Sequence, residues 1–505
     1  MIARLLTAVM TALFVVAATH AAEIAFDEPG LPESGILVIP VGSDLTLPET
    51  GLAEGDAAYI ARALEAAGFS GEAGATTTLY AIGNFERVML VGTDDLDRAG
   101  AETLGGHLIN LSRDEEEAVH LVWPDTLTAD HALSTALGAG LGGYRFDRYL
   151  SDASDYEPEL RVHLSDPDGV EAAFNANQAA IIEATAFARD MINAPGNEVY
   201  PEVFVERTRA AFDGERNVNI RVLDVAAMQA LGMGAILGVG QGSSRPPRLL
   251  IVEYTGGDSG DAPLAFVGKG VTFDTGGISI KDNSGMWRMK YDLAGASASV
   301  AAVLALARRD AAVNAIAVAP LVENMPSGTA QRPGDVVTTM SGQTIEIFST
   351  DAEGRLILSD AVRYAQDEYN PSLMIDIATL TGSVRVALGR EYAGLFSRHD
   401  EVAQRLLDAG EETGEILWRL PLDPSYADDI ASPIADIRNT GGDGAGAGIG
   451  AQVIATFVDE DRPWAHIDMA GVGWAFSSTP TTPEGGVGWG VRLFDAIARQ
   501  EEARD

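Results

Sequence analysis

The chain contains no cysteine. Disulfides, thiolate metal sites and cysteine nucleophiles are thereby excluded. Positive charge is also scarce: 34 Lys and Arg stand against 74 Asp and Glu, a formal net charge of -40. A surface of that sign repels nucleic acid and anionic lipid and favours cations as partners, so no nucleic-acid role is expected. No basic stripe or zinc-finger spacing argues the other way. Two signatures of hydrolytic sites are missing as well, the GxSxG elbow and the HExxH helix. GKG at 268–270 is not a nucleotide P-loop, because Lys269 is followed by Gly rather than Ser or Thr. Past the N-terminal segment there is no tandem repeat and no charge-free run long enough to span a bilayer.

What is present divides into four stretches. Residues 1–21 combine one Arg, an apolar run and small residues, with Thr19 and Ala21 suited to cleavage before Ala22. That is a signal-peptide pattern, and it predicts a secreted or periplasmic protein with no stable membrane span after cleavage. An uncleaved N-terminal anchor is the competing reading. Residues 22–168 alternate short strands (GILVIPVG, TTLYAIG, RVMLVG, AVHLVW) with helical segments (DAAYIARALEAAG, DRAGAETLGGHLINL), which predicts a small α/β domain. It holds no catalytic cluster, and His107 and His120 read as structural or exposed residues. Residues 169–194 predict a linker helix that stops at Pro195, Gly196 and Pro201. Residues 195–505 predict a larger α/β domain around a mostly parallel sheet, where ligands gather at the carboxyl ends of strands.

Three segments of that larger domain carry the unusual residues. GKGVTFDTGGISIK (268–281) follows the apolar PLAFV and holds Lys269, Asp274 and Lys281. MKYDLAGAS (289–297) places Asp292 at the start of a small-residue helix, and STDAEGRL (349–356) follows TIEIF with Asp351, Glu353 and Arg355. Each segment is weak evidence alone, since an isolated acidic pair is usually solvated surface. Four carboxylates at strand ends are too many to leave unneutralised, and two divalent cations would solve that problem. Such a pair of ions can orient and deprotonate water and polarise a carbonyl. His466 in WAHIDMAG reads as a buried, hydrogen-bonded strand residue rather than a ligand.

Taken in order with ENMPSGTAQRPGDVV and IDIATLTG, these segments closely resemble the leucyl (cytosol) aminopeptidase family over roughly residues 170–495. The resemblance implies an α/β/α catalytic domain and a dinuclear metalloaminopeptidase. Its substrates would be short peptides with a free N-terminus, Leu or another apolar first residue being preferred, and a hydroxide shared by the metals would attack. It implies Lys269, Asp274, Asp292, Asp351 and Glu353 as ligands of two ions, Zn²⁺ or Mn²⁺. Lys281 and Arg355 match the catalytic positions, with bicarbonate at Arg355, and the expected assembly is a homo-hexamer. A lysine ligates metal only when neutral, which at pH 7 costs about 5 kcal/mol against its ordinary pKa. Two alternatives share the motifs: a specialised dipeptidase and a catalytically silent structural member. The sequence departs from the family at Ser349, where Asn is usual, and at Trp287, Arg288 and Tyr291, where small or acidic residues are more common.

Overall fold

The computed structural model describes residues 22–442 and 444–504; the signal-peptide pattern at 1–21 lies outside them. The N-terminal domain is a six-stranded sheet in the order Glu23–Asp27, Glu159–His163, Val119–Val122, Ile36–Val41, Phe85–Gly92, Thr76–Ile82. Every pairing is parallel except the last, a hairpin. The strand Ile36–Val41 is buried along its whole length, as the continuous apolar run ILVIPV requires of a central parallel strand. On one face lie the helices Arg98–Glu115 and Ala129–Gly143, in close contact. Glycine sets that spacing: a Cβ on Gly105 would meet the Thr135 carbonyl oxygen at 1.8 Å. Asp97 caps the first of these helices by accepting from the Gly100 amide, and Thr128 caps the second through His131.

The linker differs from the single helix expected over 169–194. It is two helices, Pro167–Ala176 and Gln178–Asn193, broken at Asn177 (φ -139°, ψ -68°). Asn177 turns its side-chain amide back onto the Ala173 carbonyl, and its Oδ1 accepts from Arg499. An asparagine side chain that bonds local backbone competes with helix continuation. Apolar periodicity runs straight through this break, so the pattern alone does not reveal it.

The larger domain is built on a nine-stranded mixed sheet. Its order is Leu417–Arg419, Ala393–Phe396, Trp464–Asp468, Leu373–Ala378, Leu264–Gly268, Asn314–Asn324, Arg248–Thr255, Val218–Leu223, with Gly270–Asp274 paired to the far end of Asn314–Asn324. The central pairings are parallel; antiparallel strands occur toward both edges. TIEIF, expected to feed this sheet, instead places Thr344–Glu346 in a separate three-stranded sheet with Val336–Thr338 and Ile437–Arg438. Two apolar cores cover the two faces of the main sheet. In one of them the helix Ala294–Arg308 is buried from Ala294 through Ala307. Its sequence, AGASASVAAVLALA, is small and apolar on every side, which suits a helix enclosed by sheet and neighbouring helices. Each fully buried Val or Leu in it contributes roughly 1.5–3 kcal/mol.

The two domains meet through ion pairs and buried cations. Arg492 donates twice to Glu102. Arg189, almost wholly buried, donates to the carbonyls of Leu141, Val487 and Thr481. Strands Leu264–Gly268, Leu373–Ala378, Trp464–Asp468 and Asn314–Asn324 run parallel and end on one edge. All of the predicted ligand segments converge there.

Candidate metal centre

Lys269 sits where the strand Leu264–Gly268 gives way to Gly270–Asp274. Its amide donates to the Ile377 carbonyl and its carbonyl accepts from Ala296, so the backbone is held on both sides. The neighbouring helix must come very close for this. A Cβ on Gly295 would meet the Ile377 carbonyl oxygen at 2.2 Å and the Lys269 amide at 2.9 Å. The Lys269 ammonium, 3% exposed, lies 2.8 Å from Asp292 Oδ2 and 2.7 Å from Glu353 Oε1, and donates to the Thr379 carbonyl at 3.0 Å. Asp292 closes a 3₁₀ turn, Trp287–Leu293, that leads into Ala294–Arg308. Its Oδ1 accepts from the Thr379 hydroxyl at 2.6 Å. Glu353 opens the helix Glu353–Tyr369, where the helix dipole favours an acid.

A second ammonium spans the other half. Lys281 Nζ is 2.7 Å from Asp274 Oδ2 and 2.5 Å from Asp351 Oδ1. Asp274 is held by the Gly276 amide and by Asn324, each at 2.8 Å from Oδ1. Asn324 also donates to the Thr350 carbonyl, tying the two ligand segments together. Carboxylate oxygens of Asp274, Asp351 and Glu353 lie within 4.8 Å of one another. Arg355, buried two residues along the helix from Glu353, donates to the Asn439 carbonyl and has no carboxylate ion pair among the described residues. Asn439 in turn accepts from the Phe348 and Ser349 amides and donates to the Ser349 carbonyl. Ser349 therefore acts through its backbone and through a 3.3 Å bond from the Asp351 amide to its hydroxyl.

The electrostatics are those of crowded acids. Burial, then Glu353 and Asp292, push Asp274 up to about 8; burial pushes Asp292 up to about 6 against the pull of Lys269. Burial also dominates at Asp351 and raises it. Glu353 is the exception: the two ammoniums outweigh its burial and hold it below the usual carboxylate range. Both lysines are penalised by burial yet raised by the carboxylates around them, Asp292 first for Lys269 and Asp274 first for Lys281. Burial lowers Arg355. Full ionisation of the four carboxylates against two ammoniums would leave two negative charges in a largely buried site, and without a further cation that crowding is relieved by raising Asp274 and Asp292. One of the acceptors, Glu353 Oε2, is buried with no hydrogen-bond partner. An orphaned buried carboxylate oxygen beside surplus negative charge fits a bound cation.

The profile of the "Cytosol aminopeptidase family, catalytic domain" matches residues 186–494, and that of the same family's N-terminal domain matches residues 38–153. The chain belongs to the cytosol aminopeptidase family. It is a metal-dependent aminopeptidase of the leucine aminopeptidase type, with two α/β domains. Among its relatives, a probable cytosol aminopeptidase of Bradyrhizobium sp. is 45% identical over 88% of this chain and 90% of that one. The Brucella ovis counterpart is 42% identical over 95% of this chain and 98% of its own length. A mutant of tomato leucine aminopeptidase superposes with a TM-score of 0.84 at 28% identity, over 96% of this chain and 97% of that chain. The bottromycin maturation enzyme BotP in complex with Mn gives 0.80 at 30% identity, over 93% and 99%. The names of the relatives point to the cytosol and overturn the secreted or periplasmic location expected from residues 1–21.

Sequence reasoning passed over three neutral residues in the site: Asn324, Thr379 and Asn439. Asn324 and Thr379 lie inside segments already singled out, ENMPSG and IDIATLTG. Asn439 stands alone in RNTGG and carries no pattern. His466 is buried on its strand and bonded to Asp376, a structural role as expected.

Proposed function

We propose that Lys269, Asp274, Asp292, Asp351 and Glu353 hold two divalent ions, Zn²⁺ or Mn²⁺, and that the enzyme releases single residues from the N-termini of short peptides. The observation that carries this reading is the buried Glu353 Oε2 without a partner, set among three further carboxylates. When bound, two such ions supply Lewis-acid polarisation of the scissile carbonyl and an activated water. Buried Asp274 and Glu353 and half-buried Asp351, whose carboxylate oxygens lie within 4.8 Å of one another, would together hold the ions. Lys269 would serve as a ligand in its neutral form. The carboxylates of Asp292, Glu353 and Asp274 raise its pKa, and cations in the same place would reverse the sign of that effect.

The remaining steps belong to the chain's own groups. Lys281 would remain cationic, because its side chain is 22% exposed and keeps access to water where that of Lys269 is 3% exposed. A fixed ammonium at the mouth of a water-poor site stabilises the oxyanion that develops on the scissile carbonyl. Arg355 cannot act as a base, since a guanidinium keeps its proton in proteins. Without a carboxylate partner, it is placed to hold a small oxyanion such as bicarbonate, which would carry the proton from water to the leaving amine. Leu or another apolar residue is the first residue we favour. Family likeness further leads us to propose a homo-hexamer, which sedimentation velocity tests.

The deciding assay uses Leu-Gly-Gly and its N-acetyl form, after chelation and again after adding Zn²⁺ or Mn²⁺. Free leucine should appear only from the unblocked peptide and only with metal. Release from the acetylated peptide, or undiminished release after thorough chelation, would sink the reading.

A further inference from the structure

Trp287 and Arg288 open the 3₁₀ turn that carries Asp292, and neither has a hydrogen bond or ion pair to the candidate ligands among the described residues. Arg288 lies on the 3₁₀ turn that ends at Leu293, one turn before Asp292. Two more arginines come to the same place. Arg385 is on the helix Gly382–Leu388, whose N-cap Thr381 lies two residues past Thr379, and Arg390 follows that helix. Phe476 gathers two of the three: Arg390 stands 3.8 Å and Arg288 4.7 Å from its ring centroid. Trp287, 61% exposed, meets Trp474 edge-on at 5.9 Å beside them.

The cluster is unusual for this molecule. Acids outnumber bases 74 to 34, yet none of these three guanidiniums has a hydrogen bond or ion pair to a carboxylate among the described residues. Elsewhere Arg309, Arg492 and Arg499 all have one. Arg385 and Arg390 are exposed. Burial, and then the charges of Arg385 and Arg390, lower the pKa of Arg288, so Arg288 lies within reach of both. Like charges held together on an aromatic ring are relieved by a shared anion, and guanidiniums bind carboxylates in a directed, two-pronged way. One helical turn plus the arginine side chain puts the rim roughly 7–10 Å from the ligand Asp292, the reach of two to three extended residues.

We propose that Arg288, Arg385 and Arg390 form a carboxylate-binding rim beside the metal centre that selects peptides carrying a negative charge two or three residues from the N-terminus. This rests on the aminopeptidase reading above and names a substrate class for it. On a body of charge -40, an anionic peptide is repelled in general and needs such a rim to approach the site. The charge can belong to an acidic side chain or to the C-terminal carboxylate of a tripeptide.

The test compares kcat/KM for Leu-Gly-Glu, Leu-Gly-Gln and Leu-Gly-Lys, each as free acid and as C-terminal amide, at low ionic strength. The enzymes are the metal-loaded wild type, the Arg385→Ala/Arg390→Ala variant and the Arg385→Lys/Arg390→Lys variant. The wild type should favour Glu over Lys on the order of 5-fold, the difference falling on KM, as expected for two or three exposed charge contacts. Alanine should remove the preference, lysine should keep part of it, and about 0.5 M salt should screen it. A preference that survives amidation assigns the contact to the side chain; a uniform loss on amidation assigns it to the C-terminus. Absence of any preference in the wild type, or its persistence in the alanine variant, overturns the rim. So does a changed sedimentation coefficient in the alanine variant with the preference intact, which would make the patch a contact between copies. Leucinamide bears no carboxylate and reports the aminopeptidase reading separately: if it is cleaved while the preference is absent, only the rim fails.

Discussion

Two regions of the catalytic domain bury carboxylates, and they solve the same problem differently. In the flanking layers, Asp360 accepts from the Ala235, Ile236 and Met340 amides, and Glu415 accepts from those of Gly490 and Leu493. Backbone donors satisfy every oxygen of these acids. At the sheet's carboxyl edge, Asp274, Asp292, Asp351 and Glu353 face two ammoniums and one another, and Glu353 Oε2 faces no donor at all. A buried acid that backbone amides fully satisfy is structural. A buried acid left short of donors, among others of its kind, is built for a cation.

Breaking the comparison at its functional end should have the largest effect. Glu353→Gln keeps the shape but removes a charge and an acceptor. It should lower kcat/KM for leucinamide on the order of 10³-fold, and the urea midpoint of the metal-free protein should fall modestly, because buried Lys269 loses the charge of its partner. A loss of stability with kcat/KM within ten-fold of wild type would instead place Glu353 with the structural acids. Lys281→Met comes next. Loss of the cation beside Asp274 and Asp351 should reduce kcat about 10²–10³-fold, with a smaller change in KM. An effect confined to KM would show that Lys281 only binds substrate.

The same contrast explains what the sequence reveals. The candidate site residues stand out because charge is improbable directly after an apolar strand such as PLAFV, and glycine beside it marks close backbone approach, but their roles as ligands come from the family resemblance and not from the pattern. Two domains and the central strands are legible from apolar runs broken by turn residues. Asn324, Thr379 and Asn439 are not, because a lone neutral polar residue has no period and its partners are remote in the chain. Asp360 is equally hidden: within the helix Glu353–Tyr369 it looks like a solvated acid, and only the fold brings three amides to it. The break at Asn177 and the diversion of Thr344–Glu346 into a small sheet are likewise tertiary choices. Where the protein resides was misread from its first residues, since a leader pattern is compositional and says nothing of the folded chain.

At the structural end, Asp360→Asn should spare the chemistry and cost stability. One amide nitrogen would then face backbone N–H groups that need an acceptor. A loss of about 2–3 kcal/mol in urea unfolding is expected, with kcat for leucinamide within two-fold of wild type. A ten-fold fall in kcat at unchanged stability would erase the distinction between the two regions.

The finest test uses pH. Burial pushes Glu415 from its ordinary 4.5 up to about 7, against the pull of Arg492 and the two amides. The folded state therefore holds this proton more tightly than the unfolded chain does. Its contribution to stability is fully present below about pH 4.5 and is lost as pH rises through about 7. Glu415→Gln cannot ionise and should not show that loss. The melting temperature of wild type minus that of Glu415→Gln should accordingly fall between pH 5 and pH 8, by about 2 °C for a protein of this size. Parallel curves would mean that the backbone donors at the start of Val491–Glu502 compensate the charge completely. Donor supply would then separate the two regions even more sharply, since only the metal centre would retain an uncompensated charge.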